Sequence, residues 1–387
     1  MRILLSLTYY RPHVSGLTIY AERLARALVA KGHQVSILTS RHDRALPVEE
    51  HLHGVRVVRV PVVASVGKGP LMPQFGPKAV QLLREHDIVN LHLPQVESTL
   101  VAGPGRAMGK PVVLTYHCDL ELPPGRLNSG IGTIVDTANN LTGRLADAVV
   151  AYTEDYADHS RFLRRWKDKR VIIGPPVIMP SPSEQEVEAF RHNFRLGNGP
   201  VLGYASRFAT EKGIEYAIQA APELISDFPN LRILFAGPYE TVVGEEAYRE
   251  RLSPAVQELG EHWTFIGTLK PDELPAFYGS LDALLMSSVN STESFGLVQV
   301  EAMLCGTPVV CSNLPGVRQP VLTTGMGEIV DVADSLSLAN GIRRVLNNRD
   351  AYSRPREEIE ALYDPQVTVA AYEDLFERLL HEGRRAA

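Results

Sequence analysis

Apolar positions in the first half of the chain come in short unbroken runs separated by helical stretches. RILLSL (2–7), QVSILTS (34–40), VRVVRV (55–60), DIVNLH (87–92), PVVLTYH (111–117), AVVAYT (148–153) and RVIIG (170–174) each predict a strand. Runs with so little polar alternation indicate strands covered on both faces, as in a parallel sheet sheathed by helices. Between the first two runs, Leu24, Ala25 and Leu28 share one face of a helix predicted from about Leu17 to Lys31, and Gly32 stops it.

Residues 175–200 break this rhythm. PPVIMPSPSEQEVEAF is rich in proline and serine, then helical, and the segment ends at LGNGP. Alternation restarts with VLGYAS (201–206), LRILFAG (231–237), WTFIG (263–267), ALLMSS (283–288), PVVCS (308–312) and GEIV (327–330). The expected fold class is therefore α/β, with two doubly wound Rossmann-like domains in tandem. Their ligand site is expected where the carboxyl ends of the two sets of strands face a central cleft. The expected boundaries are a first domain at 1–178, a linker at 179–200, a second domain at 201–364 and a terminal helix in 365–387. Val369, Tyr372, Leu375, Phe376 and Leu379 give that last helix a face spaced for burial.

Composition supports this picture and narrows it. The chain has 387 residues, of which 44% are hydrophobic, enough for two cores. Cys118, Cys305 and Cys311 form neither a disulfide framework nor a zinc-ligand spacing. A reducing cytoplasm is expected, since the opening MRILLSLTYYRP lacks the pattern of a secretory signal. The sequons at Asn140 and Asn290 are then coincidental. The net charge of -6 hides an asymmetry: residues 1–195 carry 24 basic against 18 acidic side chains, and the remainder 15 against 27. Two readings stand. Either charge drifts between domains by chance, or the basic half meets an anionic membrane surface or lipid diphosphate. No nucleic-acid partner is expected.

Four segments carry candidate chemistry. The first runs from Glu293 through Ser294, Phe295, Gly296 and Leu297 to Glu301, between the strand ALLMSS and a helix ended by Gly306 and Pro308. Glu293 falls in the loop and Glu301 more than a turn inside the helix. The N–H groups of a helix start bind phosphate. Carboxylates flanking it suit the hydroxyls of a nucleotide sugar rather than its phosphates. The second segment, Ser206 to Gly213, places Arg207 and Lys212 after a strand, where two cations can neutralise a leaving diphosphate. The third is the loop Thr8 to Gly16, which lacks the G-x-G-x-x-G spacing; Gly16 there allows close backbone approach to a ligand. In the fourth, His117 closes the strand PVVLT and is either a structural histidine or a contact to a reacting sugar. No Asp-x-Asp occurs, so a metal-bridged diphosphate is not expected and no metal or other cofactor is assigned.

These motifs resemble glycosyltransferase family four, the large retaining GT-B family. The resemblance runs over nearly the whole chain. Its most specific parts are the E-x7-E segment from Glu293 to Glu301, continuing as EAMLCGTPVVCSNLPG, and the S-R-F-x-x-E-K-G segment holding Arg207 and Lys212. It implies a nucleotide diphosphate bound by the C-terminal domain, with Arg207 and Lys212 on the phosphates, Glu301 on the ribose and Glu293 on the donor sugar beside the Phe295–Gly296 backbone. His117 matches the family histidine near the donor sugar, and Gly16 the second glycine of the N-terminal Gly-Gly loop, whose first glycine is Ser15 here. Ile173-Gly174-Pro175 departs from the usual Asn-Gly before the linker. The resemblance also implies that the last helix crosses back to the first domain. Gly237, Tyr239 and Gly267–Lys270 are expected near the base.

The expected activity is metal-independent, retaining transfer of a hexosyl unit from a UDP- or GDP-linked sugar. Candidate catalytic residues are His117, Arg207, Lys212 and Glu293. Candidate donor-binding residues are Gly16, Ser206, Arg207, Lys212, Gly237, Glu293, Ser294, Phe295, Gly296, Leu297 and Glu301. The expected acceptor is a lipid-linked or envelope glycan docked on the first domain, with peripheral contact to the anionic inner membrane as a further expectation. The loop from Pro61 to Pro77, carrying Lys68, reads equally as an acceptor or membrane contact and as a packed loop. A GT-B-fold sugar-nucleotide epimerase and a non-catalytic sugar-nucleotide sensor are the alternatives. The first should lack the glutamate pair, and the intact cations argue against the second.

Overall fold

The unbroken apolar runs become the inner strands of two parallel sheets. The computed structural model describes residues 1–67, 69–121 and 126–386. The chain divides into two compact units, Met1–Pro176 with Asp364–Ala387, and Val177–Tyr363.

In the first unit the strands are β1 (Arg2–Ser6), β2 (Gln34–Arg41), β3 (Glu49–Leu52), β4 (Val55–Pro61), β5 (Ala64–Val66), β6 (Gly69–Leu71), β7 (Ile88–Leu93), β8 (Val112–Tyr116), β9 (Ala148–Ala151) and β10 (Arg170–Ile172). Eight of them form one sheet in the order β10-β9-β8-β7-β1-β2-β4-β3. All its pairings are parallel except β3 on β4. Pattern reading missed β3, whose EEHL is a charged strand at the sheet edge and carries no apolar run. It also missed the antiparallel pair β5–β6. That pair lies in the loop from Pro61 to Pro77 and exposes Val66 and Leu71. Lys68 lies outside the described residues.

Sheet order grows outward from β1 in one direction and from β7 in the other, so the order reverses between them. Such a reversal opens a crevice at the strands' carboxyl ends. The helix Gly16–Ala30 follows β1 and buries Tyr20, Leu24 and Leu28. The terminal helix, Pro365–Ala386, belongs to this unit and seats Val369, Tyr372 and Phe376 in it. Its Thr368 hydroxyl donates to the carbonyl of Gly174 at 2.9 Å.

In the second unit the strands are β11 (Val201–Ala205), β12 (Arg232–Ala236), β13 (Trp263–Gly267), β14 (Ala283–Met286), β15 (Val309–Ser312) and β16 (Gly327–Val330). They form an all-parallel sheet in the order β13-β12-β11-β14-β15-β16, which reverses between β11 and β14. Residues 179–200 are not a free connection. They fold into this unit, where the helix Glu184–Asn193 turns Phe190 onto Phe277 with ring centroids 6.1 Å apart. The polar composition that suggests a linker is the solvent face of that helix. Its start is fixed by a capping box between Ser183 and Glu186.

Candidate active site

In the second unit the two motif loops leave the sheet where its order reverses. Ser206 to Gly213 follows β11, and Ser287 to Gly296 follows β14. Tyr204 and Ser287 join their hydroxyls at 2.7 Å, and the Ser287 hydroxyl reaches the carbonyls of Lys212 at 3.0 Å and Gly213 at 2.9 Å. Val289 N–H donates to the Glu211 carbonyl at 3.0 Å. Gly213 has φ +60°, and a Cβ there would lie 2.2 Å from the Ser287 carbonyl oxygen. Only glycine lets the two backbones approach this closely.

This stitching brings together two residues 81 positions apart. Lys212 Nζ donates to Glu293 Oε2 at 2.6 Å, with side chains 19% and 18% exposed. Arg207 stands further out, 43% exposed, with its Nη2 on Glu211 Oε1 at 2.6 Å. Both cations expected on a diphosphate are thus held by carboxylates in this state.

The segment after Glu293 turns inward. Ser294 and Phe295 are buried. Gly296, at φ +79°, caps the helix Leu297–Leu304 in a left-handed conformation, and a Cβ there would strike the Met286 thioether methyl at 2.3 Å. The Gln299 amide fixes the turn by donating to the carbonyls of Phe295 at 2.7 Å and Val317 at 2.9 Å. Glu301 is only 4% exposed and accepts from the Tyr278 hydroxyl at 3.0 Å. Nearby strand ends close the backbone frame: Ser206 N–H donates to Ala236 at 2.9 Å and Gly237 N–H to Gly267 at 2.8 Å. Tyr239 stacks on Phe265 at 4.1 Å. Burial pushes the thiols of Cys305 and Cys311 up to about 12, so neither is a ready thiolate.

In the first unit, Gly16 opens its helix, and a Cβ there would meet nothing within 4 Å. The fold itself does not require glycine at that position. Ser15 is the helix cap: its hydroxyl accepts from Thr18 N–H at 3.2 Å while its own N–H donates to Thr18 Oγ1 at 2.7 Å. A serine in place of the family's first glycine therefore ties down the loop. His117 lies just past β8, 5% exposed, with its N–H on the Leu93 carbonyl at 2.9 Å. Its Nε2 lies 2.9 Å from His92 Nδ1, and its Nδ1 meets the Tyr152 hydroxyl. Burial holds His117 well below the usual histidine range, helped by His92, and burial alone lowers His92 to about 3. Both rings are neutral near pH 7.

Sequence reading missed His92, Tyr152, Ser287 and Tyr278. His92 sits within the strand run DIVNLH, where β7 is buried throughout and it reads as one more strand residue. The other three carry no motif and act through contacts from distant segments. Among the described residues no group of His, Cys, Asp and Glu could hold a metal ion, and no helix is long and apolar enough to cross a membrane.

Comparison with known proteins agrees with both units. Residues 15–176 match the model of the glycosyl transferase 4-like domain, and residues 186–361 that of the glycosyl transferases group 1. The chain is 30% identical over 274 residues to the 2-deoxystreptamine glucosyltransferase of Streptomyces kanamyceticus, covering 68% of each chain. It is 26% identical to the phosphatidyl-myo-inositol mannosyltransferase of Mycobacterium leprae over 100% of this chain and 99% of that one. In fold it resembles Anabaena HepE, solved in complex with UDP, at a TM-score of 0.78 and 20% identity over 98% of this chain and 100% of that one. It likewise resembles a sucrose-phosphate synthase from Thermosynechococcus elongatus at a TM-score of 0.77 and 23% identity, covering 98% and 99%. The chain therefore belongs to glycosyltransferase family four, and it is a GT-B transferase that moves a sugar from a nucleotide sugar donor.

Proposed function

We propose that the protein is a retaining, metal-independent hexosyltransferase whose second unit holds the diphosphate of a UDP- or GDP-linked sugar. The observation that carries this reading is the contact of Lys212 with Glu293 at the point where sheet order reverses. A cation and a carboxylate side by side match the two ends of a sugar–diphosphate bond: Lys212 and Arg207 on the phosphates, Glu293 on the sugar hydroxyls. At the start of the helix Leu297–Leu304 the N–H of Gln299 is taken by the Gly296 carbonyl at 3.0 Å, and the N–H groups of Leu297 and Val298 before it carry the proposed anion field, with Ser294, Phe295, Gly296 and Leu297 shaping that turn. Glu301, oriented by Tyr278, takes the ribose. Ser206 and Gly237 frame the donor by their backbones. In the first unit, His117 and Gly16 carry the proposed substrate contacts.

Departure of the diphosphate and attack by the acceptor hydroxyl occur on one face of the anomeric carbon. The leaving phosphate oxygen takes the acceptor's proton as the new glycosidic bond forms. Arg207 and Lys212 stabilise the charge that develops. Loss of one such donor costs about 10²–10³ in rate, so Arg207→Ala and Lys212→Ala should each collapse turnover. Near-normal rates in both would overturn the assignment. The acceptor proposed is a lipid-linked or envelope glycan, a reading supported by the phosphatidyl-myo-inositol mannosyltransferase among the relatives. Peripheral contact with an anionic inner membrane is tested by co-sedimentation with anionic vesicles, and absence of binding at low salt would refute it. Thermal shift against UDP-, GDP- and ADP-sugars identifies the donor, since a ligand at 100 times its Kd stabilises by about 2.7 kcal/mol.

A further inference from the structure

His117 has no idle ring nitrogen. Its Nε2 is 2.9 Å from His92 Nδ1, and its Nδ1 meets the hydroxyl of Tyr152. The two imidazoles lie nearly parallel, 30° apart at 5.2 Å, and Tyr20 closes on His117 edge to face at 5.1 Å while stacking on Tyr152 at 5.1 Å. Tyr20 is held in turn by the hydroxyl of Tyr372, on the terminal helix, at 2.8 Å. His92 is wholly buried on β7, and His117 is nearly so. Two neutral imidazoles can share only one hydrogen between facing nitrogens, so the pair has a direction. A phenol is the stronger donor and an imidazole nitrogen the stronger acceptor, so the proton at the Tyr152 contact belongs to the hydroxyl. On that assignment Nδ1 of His117 is bare, its hydrogen sits on Nε2 and His92 Nδ1 receives it, which places the hydrogen of neutral His92 on its own Nε2, a buried atom that spends no hydrogen bond.

We propose that His92 is a positioning residue for His117, fixing it in the tautomer with hydrogen on Nε2 and leaving Nδ1 as an acceptor for a hydroxyl. In this state the hydroxyl is that of Tyr152. A substrate hydroxyl that exchanges with it meets a nitrogen that accepts and does not donate. The proposal rests on the reading of His117 as a substrate contact, and it extends that reading to a strand residue no motif marks. It resembles the way outer partners orient metal-bound histidines, whose loss costs tenfold to a hundredfold.

The test has two arms. In the intact chain labelled with 15N-histidine, long-range proton–nitrogen spectra read which ring nitrogen of His117 carries hydrogen, with His117→Asn providing the assignment. Hydrogen on Nε2 from pH 6 to 8 is expected. Hydrogen on Nδ1, or an average of both tautomers, overturns the proposal. In the second arm, His92→Phe removes the acceptor and His92→Asn restores one through its side-chain carbonyl. His92→Phe should lower kcat about tenfold or more, with unchanged nucleoside diphosphate affinity, and His92→Asn should recover much of it. Wild-type kcat in His92→Phe overturns the proposal. If the wild-type protein transfers from none of the three nucleotide sugars, the transferase reading fails while the spectra still decide the tautomer.

Discussion

Replacing Glu293 by glutamine should make the protein bind a nucleoside diphosphate more tightly, although it removes a group proposed to hold the sugar. Lys212 has its ammonium 2.6 Å from Glu293 Oε2 in the present state. A diphosphate that recruits Lys212 must compete with that carboxylate. Exposed pairs are worth about 0–1 kcal/mol, and breaking a fully buried one costs about 3–5 kcal/mol. At 19% and 18% exposure this pair falls between the two limits, and an incoming diphosphate replaces the carboxylate rather than leaving the ammonium unpaired. Taking about 1–1.5 kcal/mol for the competition predicts a Kd lower by about five- to twelvefold. Calorimetric titration of UDP and GDP into wild type and Glu293→Gln reads this directly, and Lys212→Ala in both backgrounds should abolish the difference. Transfer from the intact nucleotide sugar should meanwhile fall. Equal or weaker diphosphate binding by Glu293→Gln would refute the reasoning, because Glu293 would then not restrain the cation.

Three further outcomes are expected. Gly213→Ala puts a Cβ 2.2 Å from the Ser287 carbonyl at φ +60°, a change that should cost at least about 1–2 kcal/mol. Urea unfolding showing no loss would contradict the close approach of the two loops. Tyr372→Phe removes hydrogen bonds to Tyr20 and Thr115, each 2.8 Å, and should cost about 1–3 kcal/mol by stranding the buried Tyr20 hydroxyl, while Thr115 keeps its bond to Asn90 at 2.9 Å; an unchanged denaturation midpoint would count against that network. Acid should destabilise the fold through His92, held at about 3 in the native state against an ordinary 6.5. Above the ordinary value neither state is protonated. Below it the unfolded chain takes up a proton that the folded one refuses, so stability falls by up to about 1.4 kcal/mol per pH unit for this group until pH approaches 3. His92→Phe should flatten the slope of unfolding free energy between pH 7 and 5, and an identical slope would refute the assignment.

The strands show how far local pattern reaches. RILLSL and VLGYAS announce themselves because a strand buried on both faces has no polar period. EEHL, at the edge of the first sheet, carries no such signal and joins it through backbone pairing with β4 alone. The segment 179–200 shows the opposite failure. Its proline, serine and glutamate content describes the solvent side of a helix whose Phe190 is anchored on Phe277, 87 residues away, and composition is blind to that anchor.

By itself the sequence determined two α/β sheets, a loop–helix junction holding Glu293 and Glu301, and a cation loop holding Arg207 and Lys212. Those features rest on interactions within a few residues: apolar runs, helix starts and glycine turns. Tertiary structure alone decided that Lys212 meets Glu293, that Glu301 lies buried against Tyr278, and that His117 is spent on His92 and Tyr152. The Lys212 and His117 contacts depend on strand order. The order sets β11 beside β14 and β7 beside β8, and so brings side chains from loops and strands distant in sequence into hydrogen-bonding reach.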